Sequence, residues 1–208
     1  TWGRAMHEFV EQLAKDERLR SLSFQNVKVV PFLGTPGAIQ SDSWNTTTYS
    51  NTLATKVGNL LHCASYNLSA PMYVEGTKEK ELIESIDEIA KVLHMAETAD
   101  IALIGIGSMQ DDSSIIKAEI RTKEEYKELV RKGAVGEIVG RIYDKNGQTV
   151  DEDLKRKMVG ISLDKIAKIP VRVGMSYGKD KIEAIKGAIA GGLVNALVTD
   201  VPTAELLI

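Results

Sequence analysis

A disulfide framework is closed to this chain, because Cys63 is its only cysteine, and a reducing compartment, the cytoplasm, is the expected setting. No basic tract interrupts it, and the formal net charge of −3 argues against a surface that neutralises a nucleic-acid backbone on this segment itself. No apolar run reaches the length of a membrane span, and no signal peptide is recognisable, so no membrane association is expected. His7, His62 and His94 are scattered without HExxH or paired Cys/His spacing. Neither a metal nor a cofactor is therefore expected. The sequence also lacks a G-x-S-x-G elbow, a kinase signature, a redox C-x-x-C and any internal repeat.

What remains is an ordinary globular composition, 43% hydrophobic and 26% charged over 208 residues, enough for one sizeable core and read as a single domain, 1–208. Its organising stretch is residues 171–200. Val171 and Val173 alternate as in a strand, Gly174 to Gly178 break the pattern, and Ile182, Ile185 and Ile189 recur at helical spacing. A short apolar run at 196–199 follows, so the unit reads as strand, helix, parallel strand with a right-handed crossover. Lys179 and Lys181 fall in or beside the first helical turn, where the macrodipole is already positive. A bound phosphate or carboxylate would offset them; the alternative is that both extend into water with Asp180 as a cap.

The same oddity occurs at the start of the chain, where Arg4 follows Gly3 and opens a helix whose apolar face is Met6, Phe9, Val10 and Leu13. A solvated arginine is the alternative. Residues 26–33 read as a strand running into Gly34, Thr35, Pro36 and Gly37, which is either a ligand-approaching loop or a plain turn. After the polar stretch 40–48, Asn51 sits near the start of a helix over 49–61, and 63–70 reads as a short strand. The spacing predicts one long helix over 77–98, with Leu82, Ile83, Ile86, Ile89 and Leu93 facing the core. Residues 100–107 read as a central parallel strand buried on both faces, with Gly107 and Ser108 at its carboxyl end, where ligands gather in open α/β sheets. A capping box, Thr122 and Glu125, opens a helix over 122–132, and 136–144 reads as a further strand. Glu137, flanked by glycine, would hold sugar hydroxyls or stand as a surface residue. A helix capped by Asp200, with Pro202 in its first turn, closes the chain. Helix-start anion sites thus outnumber plausible acids, bases and nucleophiles, which favours binding over turnover.

TWGRAM at the start, VVPFLGTPG, SAP at Ser69 to Pro71, ADIALIGIGSM, GAVGEIVGRIYDKNG, GKDKIEAIKGAI and LVTDVPTAELL occur in that order across nearly the whole chain. Together they resemble the effector-binding domain of SorC-type bacterial transcriptional regulators. The resemblance implies a three-layer α/β fold, a mostly parallel sheet flanked by helices, similar to ribose-5-phosphate isomerase and glucosamine-6-phosphate deaminase. It implies a phosphorylated sugar as effector and operator DNA held through an N-terminal helix-turn-helix region absent from this chain, as is the strand expected before Thr1. A homodimer or homotetramer is implied as well. The implied phosphate ligands are Gly3, Arg4, Gly178 and Lys181, and the sugar ligands Gly34, Thr35 and Glu137; Asn51, Gly107 and Ser108 complete the candidates. Some relatives carry a Thr pair at Arg4 and Ala5, and some carry Arg at Leu33, which bears on a second phosphate subsite. Two other readings are an isomerase or deaminase using Glu137, Asp111 or Asp112 for proton transfer, and an oligomerisation module with no ligand.

Overall fold

The computed structural model describes residues 1–36, 46–111 and 113–208, so Gly37, Asp112 and most of the polar stretch 40–48 lie outside the described residues. In chain order the principal elements are α1 (Arg4–Leu13), β1 (Lys28–Val29), α2 (Ser50–Leu60), β2 (Ala64–Ser65), α3 (Thr77–Glu84), α4 (Asp87–Glu97), β3 (Ile101–Gly105) and β4 (Gly107–Ser108). There follow α5 (Ser114–Lys117), α6 (Lys123–Arg131), β5 (Ala134–Ile138), β6 (Arg141–Asp144), α7 (Glu152–Lys157), α8 (Leu163–Ile166), β7 (Val171–Met175), α9 (Ile182–Ala190), β8 (Ala196–Val198) and α10 (Val201–Leu207).

The architecture is α/β. The unit at 171–200 forms as the spacing predicts: β7 and β8 pair in parallel, with Val173 opposite Ala196, and α9 connects them. The face that α9 buries differs from the predicted one. Ala184, Ile185, Gly187 and Ala188 are buried, while Ile189 is 50% exposed. Small residues carry that contact because the helix lies close to β5 and β6: a Cβ on Gly187 would sit 2.8 Å from the Asp144 carbonyl oxygen.

Hydrogen bonding divides the described strands into small sheets, where the sequence suggested one mostly parallel sheet. β3, β7 and β8 form a parallel sheet in that order, β1 pairs in parallel with β2, and β4, β5 and β6 form an antiparallel sheet. β7, not β3, is therefore the middle strand of its sheet. β3 pairs with β7 from Ile101↔Val171 to Gly105↔Met175, and its other edge is met by Thr1, whose backbone nitrogen donates to the Leu103 carbonyl at 3.0 Å. Helices still cover both faces of β3: Leu103 packs in a cluster with Met6, Val10, Leu53 and Val57 of α1 and α2, whereas Ala102 and Ile104 join the central cluster containing Ile138, Ile142, Ala184 and Ile185.

Three further segments depart from the sequence reading. The strand expected over 136–144 is a hairpin, β5 and β6, turning at Val139 and Gly140, both at positive φ (53° and 70°). Two consecutive left-handed residues are what a two-residue turn matched to strand twist demands, and glycine takes one of them without strain. The single helix over 77–98 is instead α3 and α4. Ile86 adopts extended ψ (124°), and Asp87 and Glu88 occupy the first turn of α4, where their charge favours a new helix start. α3 buries none of its residues, so Leu82 and Ile86 face solvent rather than the core. The strands expected over 26–33 and 63–70 shorten to β1 and β2, with isolated bridges at Leu33↔Gly160 and Thr35↔Pro71 beyond them. The capping box of α6 and the Asp200 cap of α10 are both formed.

Candidate functional site

β3 and β7 end side by side at Gly105 and Met175, and beyond their carboxyl ends lies a cleft of about 280 Å³. Its walls come from Trp2 to Ala5 at the start of α1, from 105–108 after β3, from Ser113 and Ser114 at the start of α5, from Glu137 on β5, and from Ser176, Tyr177, Asp180 and Lys181 after β7.

Gly3 is the N-cap of α1 at φ 101°, a conformation that favours glycine, and no side chain caps the helix. The first turn of α1 also contains no acidic residue, so its backbone amides and Arg4 present positive potential where 3–5 line the cleft. On the facing side, the 3-10 turn Lys179–Lys181 leads into α9, with Lys181 as the N-cap residue of that helix. The Lys181 ammonium donates to Ser108 Oγ at 2.7 Å and lies 3.2 Å from Asp180 Oδ2. Two basic side chains at two helix starts therefore open onto one cavity.

Glu137 lies at the bottom of the cleft and is 7% exposed. The hairpin turn positions it. The Gly140 amide and the Trp2 indole both donate to Glu137 Oε1, the latter at 3.4 Å. Across the β4–β5 ladder, Gly107 pairs with Glu137, and a Cβ there would stand 2.8 Å from Glu137 Oε2, so glycine leaves the carboxylate its room. Burial raises the Glu137 pKa above the ordinary carboxylate range; the two donors and the charges of Lys181 and Arg141 oppose that shift without cancelling it. Asp180 is shifted the other way. Burial works against ionisation there too, but the hydrogen bond and charge of Lys181, with the Ser108 hydroxyl, hold its pKa below the usual range.

Of the residues singled out from sequence, Gly3, Arg4, Gly107, Ser108, Glu137 and Lys181 line this cleft. Gly34, Thr35, Asn51 and Gly178 do not. Asn51 Nδ2 donates to Thr35 Oγ1 at 2.9 Å and to the Leu68 carbonyl at 3.1 Å, and its Oδ1 accepts from the Leu68 amide. Its amide is thus spent on joining α2 to the loops around Thr35 and Leu68. Gly34 is packed against Pro71, whose carbonyl oxygen would lie 2.5 Å from a Cβ. Gly178 stands just behind the cleft at φ 107°, its amide donating to Thr203 Oγ1. Asp111 is exposed and outside the lining, and Asp112 is not among the described residues. Trp2, Ser113, Ser176, Tyr177 and Asp180 were not anticipated as lining. The one readable signal was Tyr177, an aromatic residue inside a glycine-bearing loop at a strand's carboxyl end, which is 58% exposed. Among the described residues no cluster of His, Cys, Asp or Glu could hold a metal ion, and no helix is long and apolar enough to cross a membrane.

The Sugar-bind family model, which describes a sugar-binding domain, matches residues 1–208. The chain belongs to that family. This sugar-binding domain is 35% identical over 158 residues to the transcriptional regulator LsrR of Escherichia coli O9:H4 (strain HS), covering 74% of the domain and 50% of that regulator. It is 32% identical over 149 residues to LsrR of Enterobacter sp. (strain 638), covering 70% and 46%. The domain thus spans about half the length of these regulators. Among solved structures, the full-length sorbitol operon regulator SorC of Klebsiella pneumoniae superposes with a TM-score of 0.85 at 28% identity, over 99% of the domain and 64% of that chain. A DeoR family regulator from Listeria monocytogenes shares the fold with a TM-score of 0.85 at 24% identity, over 100% and 77%. The domain is accordingly a sugar-binding domain of the kind found in SorC-type transcriptional regulators.

Proposed function

We propose that the cleft binds a phosphorylated sugar and that occupancy alters how the regulator containing this domain holds operator DNA. The observation that carries this reading is the convergence of Arg4, the Gly3-capped start of α1 and Lys181 on a single cavity with Glu137 in its lining. The positive groups suit a phosphate ester, and a carboxylate held by Gly140 and Trp2 suits sugar hydroxyls. Tyr177 at the rim offers an aromatic face to a sugar ring.

In the same reading the domain acts in the cytoplasm as part of a homodimer or homotetramer. Its fold is akin to ribose-5-phosphate isomerase and glucosamine-6-phosphate deaminase, retained for binding rather than turnover. The names of the LsrR and SorC relatives support regulation, and the DNA-holding part belongs to sequence outside this chain. Ligand shifts the regulator's state only by binding one assembly better than another.

A thermal-shift panel of pentose and hexose phosphates tests the proposal, with product analysis of the same mixtures. Saturable stabilisation by at least one sugar phosphate, with the sugar recovered unchanged, is the expected result. Isomerised or deaminated product would replace it with the enzyme reading, and no stabilisation by any phosphate would overturn it.

A further inference from the structure

The Lys181 ammonium has oxygen partners from this chain. It donates to Ser108 Oγ at 2.7 Å and lies 3.2 Å from Asp180 Oδ2. Ser108 Oγ in turn donates to the same Asp180 oxygen at 3.2 Å. The three side chains close a triangle that ties β4 to the 3-10 turn before α9, and all three line the cleft. Backbone geometry makes room for it: a Cβ on Gly178 would stand 2.8 Å from Asp180 Oδ1. The Lys181 side chain is 19% exposed, so a lone ammonium there would be poorly solvated, whereas the Asp180 side chain is 48% exposed and has water to turn into. The carboxylate stands where an anionic ligand's oxygen would stand.

We propose that Asp180 occupies the anion subsite as an internal competitor, setting a threshold that a dianionic phosphate passes and a monoanionic carboxylate does not. This rests on the phosphorylated-sugar reading and deepens it. Binding exchanges one ion pair for another: a phosphate oxygen replaces Asp180 Oδ2 at Lys181 and Ser108, and the displaced carboxylate turns to solvent. A singly charged carboxylate exchanges like for like and gains nothing. A dianion gains from its second charge, because Coulomb attraction at contact distance scales with charge and the half-buried site screens it less than water. The same contacts spare Lys181 from standing as an unpaired, mostly buried cation, so its ammonium is held in place for the ligand.

The test is calorimetric titration of the folded chain and of Asp180→Asn with inorganic phosphate and, separately, with acetate, at matched ionic strength and pH 7.5. Asp180→Asn is expected to bind phosphate about tenfold more tightly than the unaltered chain and to show measurable acetate binding that the unaltered chain lacks. Asp180→Ala, which removes the side-chain oxygens altogether, is expected to move both affinities the same way, and urea midpoints establish that the variants are folded. If the unaltered chain binds phosphate and both variants bind it equally or more weakly, Asp180 orients Lys181 instead of competing for it. That outcome overturns the competitor and leaves the sugar-phosphate reading standing. If no folded form binds phosphate or any sugar phosphate, the functional reading fails and the competitor with it.

Discussion

At the scale of single residues, the cleft sets the Lys181 ammonium and the Asp180 and Glu137 carboxylates on one lining, and the proposed function assigns attraction of the phosphate to the cation. Lys181→Met keeps the apolar stem and removes the charge, and charge-assisted hydrogen bonds are worth about 1.5–3 kcal/mol each. Phosphate affinity is therefore expected to fall by about ten- to a hundredfold in calorimetric titration, with the unfolding midpoint little changed. Glu137 carries a pH signature. Its pKa is raised by burial, so between the ordinary value and the raised one the folded chain binds more protons than the unfolded chain, and Glu137 costs stability increasingly as pH rises through that window. Glu137→Gln keeps an acceptor for Gly140 and Trp2 and never ionises. Its stability relative to the unaltered chain should rise as pH climbs through the window and level off above it, as urea midpoints against pH would show; a flat difference would place Glu137 in water. Glu137 and Lys181 were readable from sequence because a carboxylate beside glycines and a lysine at a helix start are locally odd. Local sequence marks Asp180 only as a cap, since its contact with Ser108, 72 residues away in the chain, depends on the assembled fold.

At the scale of elements, periodicity served well where one face decides packing and poorly where a turn or a break does. α1, α6 and the β7, α9, β8 unit formed near their predicted bounds because apolar spacing, caps and glycines agree there. The hairpin is hidden because Val139 and Gly140 are not one of the usual Asn-Gly or Asp-Gly turn pairs, and valine at φ 53° is a backbone state that local preference argues against. That turn bears on the proposed function, since its Gly140 amide holds the Glu137 carboxylate. Gly140→Ala would place a Cβ against Met158 Cε at φ 70°. It should lower the unfolding free energy by about 1–3 kcal/mol and weaken sugar-phosphate binding together, read by urea titration and calorimetry on one preparation. Loss of stability with binding intact would show that the turn does not hold the site. The break between α3 and α4 was missed for the opposite reason: Leu82 and Ile86 continue a helical stripe that the fold leaves in solvent.

At the scale of the whole molecule, the class was legible and the sheet arrangement was not. Strand-helix-strand order gives α/β from local signals, but which strand stands in the middle depends on partners distant in sequence, as with β3 and β7. The cleft is likewise a property of the assembled fold, drawing on α1, β4, β5 and the turn before α9. A ligand that fills it should therefore stabilise the cooperative unit: at a hundred times the dissociation constant the gain is about 2.7 kcal/mol, which raises the melting midpoint by about 5–10 °C for a chain of this size. Scanning calorimetry across a concentration series checks this, and a midpoint insensitive to concentration would refute site-specific binding. The Trp2 residue, which lines the cavity with its indole N–H on Glu137, adds an optical consequence. In the proposed function a sugar hydroxyl that draws the carboxylate away would change the polarity around the ring, so its fluorescence colour should follow filling of the cavity without any added dye. Trp44 is the second tryptophan, and Trp44→Phe leaves Trp2 as the sole tryptophan emitter, its indole N–H on the carboxylate proposed to meet the sugar.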